Sequence, residues 1–228
     1  MDDDVRPTRQ QISDAVDAAG WRLILGAIHA EAPTRSLLEG SEAASLAVSA
    51  VGADGQGHLT VDIRADRTVL RLHSADVGAV TGRDIRLARA VSGALAARGL
   101  RLAPGAAQAL EIAIDALDIA LVRPFWKAVT GYADEPGSEL QAALVDPSCR
   151  GPAIWFQQMD APRPQRNRIH IDVDVPHEEA RPRIDAAIAA GGRLLSDAAA
   201  PAFWVLADPE GNEACVCTWQ GRDPLPTD

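Results

Sequence analysis

The sequence predicts an α+β fold in two parts, an N-terminal α-β-α-β-β-α domain followed by a C-terminal pair of βαβββ units. Three observations point there. Capped helices alternate with short strand-like runs over roughly the first hundred residues. The stretch Leu100–Ala109 then carries Pro104-Gly105, little periodicity and no aromatic residue, as a linker does. Beyond it, one order of strand, helix and strands occurs twice, with equivalent positions roughly sixty residues apart. The expected boundaries are residues 1–99, a linker over 100–108, and residues 109–228.

The first helix follows from Thr8 and Gln11, which have the spacing of a capping box, and from Gly20, a left-handed stop. Trp21–Ala30 reads as one strand closed by Pro33. Ser36–Val51 has the period and the Ala/Leu/Glu content of a helix, and Gly52 to Gly57 form a turn cluster. The alternating runs His58–Arg64 and Thr68–His73 form a hairpin around Ala65-Asp66-Arg67. A second capped helix begins at Thr81, with Asp84 in its first turn and Gly99 just past its end.

In the second half, Leu110–Asp115 is a strand, and a helix runs through Phe125-Trp126 to Gly131. A turn at Asp146-Pro147 and a strand over Ala153–Gln158 follow. The order then returns: strand Arg168–Asp174, helix Glu178–Ala190, strand Phe203–Ala207, turn Asp208–Asn212, strand Glu213–Trp219. Pro124 and Pro182 fall inside the two helices, where each predicts a late start or a kink.

Charge and cysteine content narrow the function classes. A formal net charge of -10 with no Lys/Arg run disfavours nucleic acid and anionic membranes as partners, so a small molecule or another protein is expected. Cys149, Cys215 and Cys217 are an odd set without the spacing of a disulfide framework. The acidic N-terminus has no apolar stretch, and cytoplasm is the expected location.

The second half resembles the glyoxalase-like domains of the vicinal-oxygen-chelate superfamily. The likeness rests on Asp118, Phe125-Trp126 and Gly131, on Asn167-Arg168-Ile169-His170-Ile171-Asp172, and on Asp208-Pro209-Glu210-Gly211-Asn212-Glu213. It covers residues 109–221 and implies a cup of strands holding a divalent metal, one ligand coming from the first and last strand of each unit. Carried over, the ligands are Glu111, Gln157, His170 and Cys215. A thiol where the family usually has Glu biases the site towards zinc, or leaves it with weak or absent metal. Trp126, Trp155 and Trp204 are candidate pocket residues. The resemblance implies a lyase-type or isomerase-type activity on a small oxygenated metabolite, or ligand sequestration without catalysis, and admits a homodimer.

Residues 8–99 are similar to pterin-4a-carbinolamine dehydratases, through His58-Leu59-Thr60-Val61-Asp62-Ile63, Arg71-Leu72-His73-Ser74 and Thr81-Gly82-Arg83-Asp84-Ile85-Arg86-Leu87-Ala88. The resemblance puts proton transfer on His58, in register with one of the family's paired histidines. His73, two residues from the position of the family's later histidine, and Asp84, at the helix start, are the other candidate catalytic residues. Gly57, Leu59 and Ala75 stand where the family has histidine, proline and histidine, so a degenerate dehydratase-like module is expected, with an active 4a-hydroxytetrahydrobiopterin dehydratase as the alternative.

Overall fold

A computed structural model describes residues 3, 6–103, 107–136, 143–163, 165 and 167–222. The chain divides into two compact units that meet between Ala109 and Leu110. Pro104-Gly105 of the expected linker lies outside the described residues. Its first part is tied to the first unit: Glu31 and Ala103 exchange backbone hydrogen bonds of 2.8 and 2.9 Å, and Leu100 and Leu102 pack on the core.

The first unit runs α1 (Arg9–Val16), β1 (Arg22–Ile24), β2 (Ala27–Pro33), α2 (Leu37–Val51), β3 (Leu59–Ile63), β4 (Arg67–Leu72) and α3 (Gly82–Ala96). The order is therefore α-β-β-α-β-β-α. The single strand expected over Trp21–Ala30 is a hairpin, reversed at Leu25, whose φ of 52° is the left-handed conformation a tight turn needs. The capping box of α1 forms as expected, with Thr8 and Gln11 satisfying each other's backbone donors. Gly20, at φ 86°, ends the short 3-10 turn after it. The four strands form one antiparallel sheet in the order β1-β2-β4-β3. Alternation sets its faces: Ile28, Ala30, Leu70 and Leu72 enter the core with Trp21, Leu87 and Leu95, while His29 and Arg71 lie opposite each other on the other face. The indole of Trp21 donates to Ser92 Oγ at 2.9 Å, which satisfies its polar edge inside that core.

The second unit contains β5 (Glu111–Ala116), α4 (Ile119–Thr130), β6 (Ala133–Asp134), β7 (Leu144–Val145), β8 (Ala153–Gln158), β9 (Ile171–Asp174), α5 (Ala180–Ala189), β10 (Arg193–Ser196), β11 (Phe203–Ala207) and β12 (Glu213–Cys217). Two four-stranded sheets result, β5-β8-β7-β6 and β10-β11-β12-β9. In each, the first and last strands of a βαβββ unit pair in parallel, which brings side chains distant in sequence to adjacent positions. Strand β9 begins at Ile171, so Arg168–His170 precede it rather than belonging to it. Helix α4 contains Pro124 without a late start, and its left-handed C-cap is Gly131 at φ 74°. Pro182 falls in the first turn of α5, where a missing N–H costs nothing. One core joins both sheets to α4 and α5, with Phe125, Trp126, Ile154, Ile184, Leu206 and Val216 buried in it. Among the described residues, no helix is long and apolar enough to cross a membrane.

Candidate functional site

The first unit builds a buried polar network at the start of α3. Asp84 is fully buried and caps its own helix, accepting from Thr81 N at 2.7 Å and Thr81 Oγ1 at 3.0 Å. The same carboxylate accepts from Ser74 Oγ at 3.2 Å and from His58 Nδ1 at 2.7 Å. In the neutral ring, donation by Nδ1 leaves Nε2 as the acceptor, the arrangement a general base requires. The hairpin holds His58 there, since His73 N donates to His58 O and Ala75 N to Gly57 O.

Two of the three expected residues, His58 and Asp84, are therefore in direct contact. His73 stands apart from that hydrogen bond, half-buried, with Arg71 donating to its Nδ1 at 2.9 Å. Burial and the neighbouring guanidinium pull His73 down to about 4, and the same two causes pull His29, across the sheet from Arg71, down to about 4. Ser74 was not expected in the network; its place beside Thr81 and Asp84 follows from a bridge between Ser74 and Ala79 that folds the loop back onto α3.

In the second unit the expected metal ligands are spread out. Register pairs Glu111 with Ala153 and Gln157 with Asp115, so Glu111 and Gln157 sit four positions apart along the β5–β8 pair. His170 and Cys215 do converge, and Asp172 joins them: one ligand atom from each lies within 4.8 Å of the others. Cys215 is the direct parallel partner of Asp172, and His170 Nε2 lies 3.3 Å from Asp172 Oδ1. His170 and Asp172 are exposed while Cys215 is buried. Burial and the Asp172 carboxylate push the Cys215 thiol up to about 12. Imidazole, carboxylate and thiol together suit a divalent cation of borderline softness.

Of the three candidate pocket tryptophans, Trp126 and Trp204 belong to the core and Trp155 is exposed on β8. Strand parity explains the difference, because Trp155 shares its face with Gln157 while Ile154 and Phe156 point inward. The turn Asp208–Asn212 fastens the second βαβββ unit to the first. Buried Asp208 accepts from Trp126 Nε1 at 3.0 Å and from Asn212 N at 2.8 Å, and Glu210 accepts from Leu117 N at 2.9 Å and Asp118 N at 2.7 Å. Asn167 donates to Asn212 Oδ1 at 2.6 Å, which links the two motifs singled out in the sequence.

Residues 111–217 match the family model of the glyoxalase-like domain, and this part of the chain is a glyoxalase-like domain. Solved structures with similarity include a glyoxalase-related enzyme from Fulvimarina pelagi, 19% identical, covering 53% of this chain and 97% of that one at a TM-score of 0.40. Another is a glyoxalase/bleomycin resistance protein/dioxygenase family enzyme from Burkholderia phytofirmans PsJN, at 19% identity, 47% and 95% coverage and a TM-score of 0.36. A third is the fosfomycin resistance protein FosX from Listeria monocytogenes, complexed with Mn(II) and sulfate, at 13% identity, 48% and 87% coverage and a TM-score of 0.39. No curated protein matches the chain.

Proposed function

We propose that the glyoxalase-like half binds a small oxygenated molecule on the strand face that carries His170, Asp172 and Cys215, as a lyase-type domain assisted by a divalent cation. The supporting observation is the convergence of those three donors on one face of a glyoxalase-like domain. A cation held there would supply Lewis-acid polarisation of a carbonyl or hydroxyl oxygen. The chain's own contribution is to offer donors from β9, from the residue just before it and from the paired β12, with His170 and Asp172 exposed to an incoming ligand. A homodimer would suit this use, since Trp155, Phe203 and Trp219 leave apolar area exposed in a single copy. Binding of oxalate, glycolate and catechol, probes with two adjacent oxygens, tests the reading. One of them should bind with an affinity that falls in His170→Ala. No binding of any probe, with or without divalent cations, would contradict it.

The first unit is proposed as a pterin-4a-carbinolamine dehydratase-like module that keeps one acid–base centre, His58. The hydrogen bond from His58 Nδ1 to Asp84 favours that reading over an ordinary hairpin histidine. With Gly57, Leu59 and Ala75 at the other family positions, dehydration of a 4a-carbinolamine should be slow. Losing one proton-transfer group typically costs about 10²–10⁴ in rate. Whatever turnover remains should vanish in His58→Ala; turnover unaffected by that change would remove His58 from the chemistry.

A further inference from the structure

We infer that the cation site of the second unit is a zinc-type site made by His170, Asp172 and Cys215 on one strand pair, without Glu111. The inference rests on the small-molecule reading above for its use, but stands on separate geometry. Asp172 and Cys215 are paired in the parallel β9–β12 register, so their side chains leave the same face at neighbouring positions. His170 lies two residues before Asp172 and reaches that same face, with Nε2 3.3 Å from Asp172 Oδ1.

The dimensions suit zinc. Tetrahedral bonds of about 2.0–2.3 Å place the donors of one ion roughly 3.3–3.8 Å apart. The three donor atoms already lie within 4.8 Å of one another, so closure asks for side-chain movements of about 1 Å. Three protein donors with a fourth position left over is the composition of an open zinc site, as opposed to a closed structural one. A thiolate among them selects against manganese and magnesium, which prefer all-oxygen or oxygen and imidazole surroundings. Among the described residues, Glu111 does not belong to this group of donors. Asp172, which the spacing of family ligands did not single out, takes the carboxylate role. Cys217, paired with Asp174 one step further along the same face, is likewise outside the group.

The test uses the reduced, chelator-stripped full chain titrated with Co²⁺, followed by competition with Zn²⁺ and Mn²⁺. One cobalt per chain should bind with a thiolate-to-cobalt charge-transfer band in the near ultraviolet, displaced by zinc and not by equal manganese. Cys215→Ser should abolish the band. His170→Gln, at an exposed position that cannot disturb the core, should weaken zinc by about tenfold or more, at least what loss of a supporting group alone costs a metal site. Asp172→Asn should weaken zinc by a similar factor while keeping the band, and Glu111→Gln should change neither. The site is overturned if cobalt and zinc do not bind, if the band disappears in Cys149→Ser or Cys217→Ser while surviving in Cys215→Ser, or if manganese binds preferentially through Glu111. Failure of cobalt and zinc to bind, with oxalate, glycolate or catechol still bound in the stripped protein and weakened in His170→Ala, would refute the site and leave ligand binding on this face intact. Zinc binding with the expected variant effects, but no response to oxalate, glycolate or catechol, would refute that reading and leave the site.

Discussion

The two units hold their chemistry in opposite ways. In the first, Asp84 is sealed in the core and each donor around it (His58, Ser74 and Thr81) comes from the fold itself. In the second, His170 and Asp172 stand in solvent and draw only a buried thiol towards them. A buried polar network must be satisfied when the chain folds, because an unpaired carboxylate in the core is costly. An exposed group of donors carries no such obligation and can wait for a ligand. The difference separates a group the fold depends on from one that folding leaves available.

Substitution is the sharpest way to break that contrast. Asp84→Ala strands the donors of His58, Ser74 and Thr81 and removes a helix cap, and should destabilise the first unit by roughly 2–4 kcal/mol. Asp172→Ala removes an exposed carboxylate and should leave the thermal melt of the second unit unchanged. Calorimetry of the full chain reads both. Equal effects would mean that the two acids play the same structural role.

Acid separates the units next. His29 and His73 have folded values of about 4 against 6.5 for an unperturbed histidine. Between those values the unfolded chain binds more protons than the folded one. Their contribution is complete above about pH 6.5 and is lost as pH falls towards 4. In the second unit, burial works against the Asp146 carboxylate, but donation from Gly151 N, Ser148 and Arg150 N outweighs it and holds the group at about 2. That contribution is complete above the usual Asp value of 3.8 and fades only as pH falls through about 2. Melting curves from pH 7 to pH 4 should therefore show the first unit weakening before the second, with the slope reduced in a His29→Asn/His73→Asn double variant.

Thiol chemistry gives the smallest of these effects. Cys149 is exposed, whereas Cys215 and Cys217 are buried, and burial and nearby Asp172 raise both of their thiols. A maleimide should label Cys149 first under native conditions and reach the other two only on unfolding. Early labelling of Cys215 would show that the β9–β12 face opens readily.

Much of this organisation could be read from residue order, and the exceptions have physical causes. The capping pairs Thr8 with Gln11 and Thr81 with Asp84 are local signals, and both formed. So did the Gly20 and Gly131 stops and the repeat of strand, helix and strands. The hairpin at Leu25 was hidden because leucine carries no turn signature, and the left-handed backbone there is imposed by β1 pairing with β2. Strand β10 was hidden because Arg193–Ser196 is exposed throughout and shows no alternation. Among the candidate residues, His58 and Asp84 were named from the sequence, and the structure brings them into contact. Asp172 was not, because its pairing with Cys215 is a tertiary register set by two strands distant in sequence. Trp126 and Trp204 were indistinguishable from Trp155 by residue type; only the face each occupies separates core from surface.

Which half meets the ligand is best decided by backbone-amide NMR of the full chain, titrated with oxalate in the presence of zinc. Shifts should concentrate on β9 and β12 around Asp172 and Cys215, with the first unit unchanged. Shifts gathered instead around His58 and His73, with the second unit silent, would contradict the assignment of small-molecule binding to the glyoxalase-like half.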